Sequence, residues 1–282
     1  MNERTLGRAI FANVVLILAV IVTLYPLLWV LKMALSGEQG FAIGATPWPD
    51  KVSLRNFADF VGRADSGGHW LFGRQLANSL LVAGATTVVG LAFATSAAYA
   101  FSRFDFPGRR AGQSALLVTQ MFPGVVMAIP LYVLLDATGL VGSLTGLVLV
   151  YATTSVPFSV FMLKGYFDTL PRDLEEAALV DGASKFTIFW RIILPLSRPA
   201  LAVTALFSFM TAWNEFILAS TFLSDERSFT LPIVLQRYVG EFSAEWGRFA
   251  AGAIGVSAPV MALFFYLQKH LVGGLTAGGV KG

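Results

Sequence analysis

Thr169-Leu-Pro-Arg-Asp-Leu-Glu-Glu-Ala-Ala-Leu-Val-Asp-Gly-Ala-Ser184, continuing to Ile192-Ile-Leu-Pro195, is a polar island in an otherwise apolar chain. Its first half predicts a short helix. Thr169 is placed to cap it and Pro171 lies near its first turn. Asp173, Glu175 and Glu176 suit the positive end of the helix dipole. Leu174, Ala177, Ala178 and Asp181 fall on one face, and Gly182 is placed to end the helix in a left-handed conformation. A second short helix starts at Ser184 with Phe186, Phe189, Trp190 and Ile193 as its apolar face, and Pro195 and Pro199 break it. The product is a helix–glycine–helix knob. Ala177 and Ala178 are small enough to let a partner approach closely, and Glu176 offers a charge at the edge. On physics alone, a plain amphipathic surface loop is an equally good reading.

The flanking sequence says where the knob projects from. Of 282 residues, 56% are hydrophobic and 13% charged, against roughly 25% charged in an ordinary globular chain. The apolar residues gather into six stretches: Ala9–Leu31, Leu76–Phe101, Gly112–Leu135, Gly142–Leu163, Pro199–Leu223 and Phe249–Gln268. Each is long enough to cross a hydrocarbon layer of roughly 30 Å as a helix. The first follows Arg4 and Arg8 as a signal peptide would. It is too long for a cleavable apolar region, and no small-x-small site follows it, so it reads as a retained helix. With the N-terminus inside, twelve of the twenty Lys and Arg fall on the inner side, which favours N-in, C-in. The expectation is an all-α polytopic membrane protein of six helices forming one domain over 1–282. Its longest inner loop is 165–198, and its long outer loops are 36–73 and 224–248.

Several chemistries are excluded. The chain has no cysteine and only His69 and His270, so thiol nucleophiles, zinc–thiolate sites and a histidine metal site have no basis. No Gly-Lys dipeptide occurs, hence no P-loop. No triad or carboxylate pair suggests catalysis.

Glu176-Ala177-Ala178, then three residues, Gly182, nine residues and Ile192-x-Leu194-Pro195, resembles the EAA motif of ABC importer membrane subunits. Gln120-Met121-Phe122-Pro123-Gly124 through Ile129-Pro130-Leu131-Tyr132 is similar to the third helix of the carbohydrate-type permeases. The ending Gly274-Leu-Thr-Ala-Gly-Gly-Val-Lys-Gly282 resembles that of the smaller membrane subunit of the maltose/maltodextrin importer. The resemblance implies a bacterial inner-membrane permease of the type I importer fold that is not itself an enzyme. ATP and Mg would be bound by a partner ATPase present in two copies, alongside a second related permease and an external solute-binding protein, with the lipid bilayer around them. No nucleic acid is implied. Glu176, Ala177, Ala178, Asp181, Gly182, Ser184, Ile192, Leu194 and Pro195 would dock on the ATPase. Thr276, Ala277, Gly278 and Gly279 would reach it through the tail, and the outer loop with Tyr238 and Trp246 would meet the binding protein. The implied cargo is maltose or maltodextrin, with trehalose or another α-glucoside as the alternative and a secondary transporter as a more distant one. No substrate-binding residue is identified in this chain.

Three features stay open. Glu215, beside Asn214, is the only acidic residue inside a span. It reads either as a pathway or subunit-interface residue or as an outer-interface anchor beside Trp213. Pro123, Pro130, Pro157 and Pro259 read as gate hinges or as the ordinary tolerance of membrane helices for proline. Phe101, Phe122, Tyr132 and Phe158 read as sugar-stacking or as packing rings. The tail from Gly273, rich in glycine, is expected to be flexible.

Overall fold

A computed structural model of the chain describes residues 3–41, 44, 46–240 and 244–278. Among them the structure is helical, with no named strand and only the isolated bridges Ala64–Trp70 and Val239–Ala244. Four helices are long and apolar enough to cross a membrane, or six if each of two bent pairs is counted as one span. Packing divides the chain into two compact units, Met1–Gly73 with Val234–Ala258, and Arg74–Ile233 with Pro259–Gly282.

The first unit is built on α1 (Glu3–Leu35), whose apolar side chains from Ile10 to Leu28 stand exposed around much of the helix. Over that stretch the helix buries no face against its own chain, yet is apolar all round, which suits it to lipid. Its C-terminal carbonyls are taken up by a side chain from α2 (Arg55–Val61): the fully buried Asn56 donates through Nδ2 to the carbonyls of Met33 and Ala34, both at 3.2 Å. The same unit holds α12 (Leu231–Arg237) from Val234 on and the first turns of α13 (Trp246–Gly278). Here Gly252 is needed for space: a Cβ would lie 2.8 Å from the Phe60 ring and 2.4 Å from Leu235. Arg248 holds Asp59 and Glu245 at 2.8 and 2.7 Å. The expected outer loops thus carry short helices rather than irregular chain.

The second unit holds the remaining spans. Its core runs along Ala94, Ala98 and Tyr99 of α3 (Phe72–Arg103), Val160, Leu163 and Phe167 of α6 (Leu144–Thr169), and Ile188 and Ile193 beyond. Small residues on α3 let the helices approach closely, which replaces the hydrophobic drive that lipid does not supply. At the start of α3, Gln75 and Asn78 donate to the carbonyls of Glu226 and Arg227 at 3.0 and 2.9 Å. The Ser79 hydroxyl accepts from the Leu231 N–H at 2.8 Å. Together these sew the 3-10 turn Glu226–Ser228 to α3.

Three of the expected spans differ. The third is not one helix over 112–135: α4 (Arg109–Thr119) and α5 (Gly124–Ala137) meet at 104° across Gln120–Pro123. Pro123 lacks an N–H and holds its neighbour extended, so the helix restarts only after it. Pro130, Pro157 and Pro259 ride inside helices. The fourth runs two turns past Leu163, because Lys164 and Asp168 pair at i,i+4 (2.6 Å) and let the helix continue beyond its apolar part. The fifth, expected over 199–223, breaks into α10 (Arg198–Asn214) and α11 (Ile217–Phe222). The tail, expected to be flexible from Gly273, continues α13 as helix to Gly278, and Gly279 lies outside the described residues.

Candidate coupling surface

The knob forms as the local sequence dictates, with one shift at its start. Thr169 does not cap it: this residue ends α6, its hydroxyl donating to the Tyr166 carbonyl at 2.7 Å. The first knob helix, α7, is Asp173–Val180, with Asp173, Glu175 and Glu176 in its first turn. It ends at Gly182, φ +82°. There the Ala183 N–H donates to the Ala178 carbonyl (2.9 Å) and the Gly182 N–H to the Leu179 carbonyl (3.0 Å). This pair of bonds is the Schellman closure, which only a left-handed residue allows. Ser184 caps the next helix, its hydroxyl accepting from the Thr187 N–H at 3.2 Å. That helix runs from α8 (Lys185–Ile188) through a π-helical stretch, Phe189–Ile193, into α9 (Leu194–Leu196). The wide turn makes room for the Pro195 ring, which would otherwise strike the carbonyl four residues back. A 77° bend then leads into α10.

The faces are divided differently from the expected pattern. Ala178, Ala183, Phe189 and Ile192 pack against the core of the second unit, and Ile188 and Ile193 are fully buried. Ala178 therefore serves the protein's own interior, and the close approach is open only at Ala177. Glu176, Ala177, Asp181, Gly182, Ser184 and Pro195 are exposed, and Leu194 is half-buried. Around them stand Leu174, Leu179, Val180 (88% exposed), Phe186 (71%) and Trp190 (54%), with the last two rings 6.1 Å apart. Large apolar side chains left exposed on one short helical knob, with charges beside them, mark a partner site.

Glu175 is the residue that sequence reasoning passed over. One position from Glu176, it points the other way, because successive helical side chains lie about 100° apart. Its carboxylate accepts from Arg103 Nε and, at 2.9 Å, from the Tyr99 hydroxyl. The Arg103 and Glu175 side chains are only 6% and 12% exposed. Arg103 also donates to the Leu170 carbonyl (3.0 Å) and to the Ser102 hydroxyl (3.2 Å). Ser102 in turn donates to Asp168 at 2.6 Å. Thus α7 is bolted to the ends of α3 and α6 by one ion-paired network. The sequence signal for it was faint: a basic residue closing one span, and two adjacent glutamates of which one helix face can present only one.

Glu215 has a role inside the fold that neither reading named. Its carboxylate accepts from the N–H groups of Leu218 (2.8 Å) and Ala219 (3.1 Å) and from the Tyr151 hydroxyl. The charge caps α11 inside the fold, and this is why the fifth span breaks there. Trp213 is buried and stacked on Phe209 (5.4 Å, 17°), so it is no interface anchor, and Asn214 is exposed at the end of α10. Thr276, Ala277 and Gly278 close α13. No cluster able to hold a metal occurs among the described residues.

A set of apolar spans carrying an apolar-tipped knob describes a membrane-spanning protein with an exposed surface suited to a partner. The family model for binding-protein-dependent transport system inner membrane components matches residues 79–276, and the chain belongs to that family. It is therefore a multi-pass inner-membrane protein and not an enzyme. It is 36% identical to the galactooligosaccharides transport system permease protein GanQ of Bacillus subtilis (strain 168), covering 100% of this chain and 99% of that one. It is likewise 36% identical to the maltose/maltodextrin permease protein MalG of Salmonella typhimurium, covering 98% and 96%. Among solved structures, a chain of a bacterial ABC transporter that imports alginate has the same fold: TM-score 0.77, 22% identity, covering 95% of this chain and 98% of that one.

Proposed function

We propose that this chain is the permease subunit of an ATP-driven carbohydrate importer. It would pair with a second permease and take its driving motion from a separate ATPase that docks on the α7–α8 knob. The observation that carries the reading is the knob itself, an exposed apolar tip joined to a buried, ion-paired root on α3 and α6. A partner that moves the tip moves two membrane helices with it, which is the rigid-body transmission that alternating access needs. N-in, C-in places the knob in the cytoplasm, where ATP is.

The carbohydrate assignment draws on full-length relatives named for galactooligosaccharides, maltose/maltodextrin and, at 34% identity, trehalose. These identities do not rank the sugars. Maltose and maltodextrin head the proposed cargo, ahead of trehalose and other α-glucosides. The test is co-purification from detergent with an ATPase and a second permease, followed by uptake of labelled maltose and trehalose into proteoliposomes holding the complex and an external binding protein. ATP-dependent accumulation of one of them is the expected result. A chain that runs alone, or that accumulates solute on an ion gradient without ATP, overturns the proposal.

A further inference from the structure

Between α3 and α4 the chain reads Phe106-Pro107-Gly108-Arg109 and makes a tight turn. Pro107 suits its second position, and Gly108 takes φ +85° and ψ 0° at its third. The Arg109 N–H donates to the Phe106 carbonyl at 3.2 Å, which completes the geometry of a type II turn. The turn sets Arg109 and Arg110 at the start of α4, where the helix dipole is positive and cations are disfavoured. No side chain caps this helix, and the N–H groups of Arg110 and Ala111 have no backbone acceptor among the described residues. Such breaches of local preference gather at functional positions.

Beside the turn lies a cavity of about 550 Å³, lined by Asp105, Phe106, Arg109, Arg110, Gln113 and, from α6, Lys164. The Arg109 guanidinium donates to the Phe101 carbonyl at 3.0 Å and pairs with Asp105, whose side chain is 96% exposed. Lys164 pairs with Asp168 at 2.6 Å and keeps further ammonium hydrogens to donate. Arg110 is exposed and has no carboxylate partner among the described residues. Three cations thus meet two carboxylates, which leaves one positive charge in excess. A phosphodiester carries one negative charge and can accept two parallel bonds from a guanidinium.

The cavity also sits at the right depth. Lys164 directly follows the apolar run 142–163, α3 closes at Arg103, and α4 opens the third span, so three spans leave the membrane at this level. With the N-terminus inside, the level is the cytoplasmic surface, where basic pockets between membrane helices hold anionic headgroups. Phe106 rests against Phe101 (5.8 Å, 32°), and the exposed Leu117 and Val118 extend an apolar surface along α4. A soluble phosphate would use the cations and leave that surface bare, whereas the acyl chains of a lipid would cover it.

We infer that this cavity is a binding site for an anionic phospholipid of the phosphatidylglycerol class. Arg110 and Lys164 bond its phosphate oxygens, Gln113 reaches the headgroup hydroxyls, and the acyl chains leave past Phe106 along α4. The site depends on neither the sugar carried nor the ATPase.

The test places the full-length chain, with the subunits that co-purify with it, in vesicles of phosphatidylcholine alone or with added phosphatidylglycerol. The chain contains no cysteine, so Ala111→Cys puts a single thiol on the cavity wall. A neutral, membrane-permeant maleimide should label that thiol readily in phosphatidylcholine and severalfold more slowly once phosphatidylglycerol is present. A thiol on an outer loop, Ser224→Cys, should label equally in both lipids. Adding Arg110→Gln should raise the phosphatidylglycerol fraction that gives half-protection by roughly fivefold, the effect of one cation at an anionic surface. Lys164→Gln, which leaves the turn untouched, should shift it the same way, and Arg110→Lys should keep most of the protection. Labelling of Ala111→Cys that ignores phosphatidylglycerol overturns the inference, as does a thiol unreactive in every vesicle. So does slowing that Ser224→Cys shares, or protection that both charge-removing variants leave unchanged. Equal protection by inorganic phosphate in phosphatidylcholine vesicles would overturn the lipid as the occupant and make the cavity a site for a soluble anion.

Discussion

Glu175→Ala should detach the knob from the membrane helices while leaving its docking tip untouched. The substitution removes the only carboxylate hydrogen-bonded to Arg103 among the described residues and leaves that guanidinium with two neutral acceptors, the Leu170 carbonyl and the Ser102 hydroxyl, with Asp168 beyond the latter. Breaking one side of a buried ion pair costs about 3–5 kcal/mol. The remaining acceptors place this case at the lower end, about 3 kcal/mol, or roughly a hundredfold shift in the equilibrium between seated and unseated α7. The assay measures ATP hydrolysis and sugar uptake side by side in the reconstituted complex. Hydrolysis should persist while uptake per ATP falls by an order of magnitude or more. The double variant Glu175→Ala with Arg103→Leu should recover part of the loss, because it removes the uncompensated charge along with its partner. If Glu175→Ala keeps wild-type coupling, or the double variant is simply the sum of the two singles, the buried pair is not what seats the knob.

Gly182→Leu should uncouple hydrolysis from uptake without preventing insertion. No atom lies within 4 Å of a Cβ at Gly182, so the cost is the left-handed backbone alone, roughly 1–2 kcal/mol, and Gly182→Asn should be milder. Glu176→Lys should weaken ATPase binding with the fold intact, read as loss of co-purification at unchanged membrane abundance, and normal uptake in this variant would refute the docking role of the knob. A Ser184→Cys variant should cross-link to a thiol placed in the ATPase cleft. Glu215→Ala should lower the thermal stability of the purified complex by about 2 kcal/mol, the value of a charged cap on two N–H groups, and Tyr151→Phe by less. Unchanged melting of Glu215→Ala would mean that α11 does not need its cap.

The sequence by itself determined what neighbours along the chain decide. Long apolar runs have to become helices in lipid, because no other open segment can satisfy its backbone there. Gly182 and Ser184 set one helix end and the next helix start through backbone preference and a bond three residues away. What only the tertiary structure decided depends on residues far apart in the chain. Arg103 and Glu175 are 72 positions apart, and Tyr151 and Glu215 are 64. Only packing of α3, α6 and α10 chooses which of two adjacent glutamates turns inward, makes Glu215 an internal cap, and buries the Ser208 hydroxyl. The helix breaks at Gln120–Pro123 and Glu215–Phe216 belong to the same category. Each opens a span whose apolar run reads as continuous: Glu215 caps Leu218 and Ala219 while Tyr151 of α6 holds it, and Gln120 reaches the Thr154 carbonyl of α6.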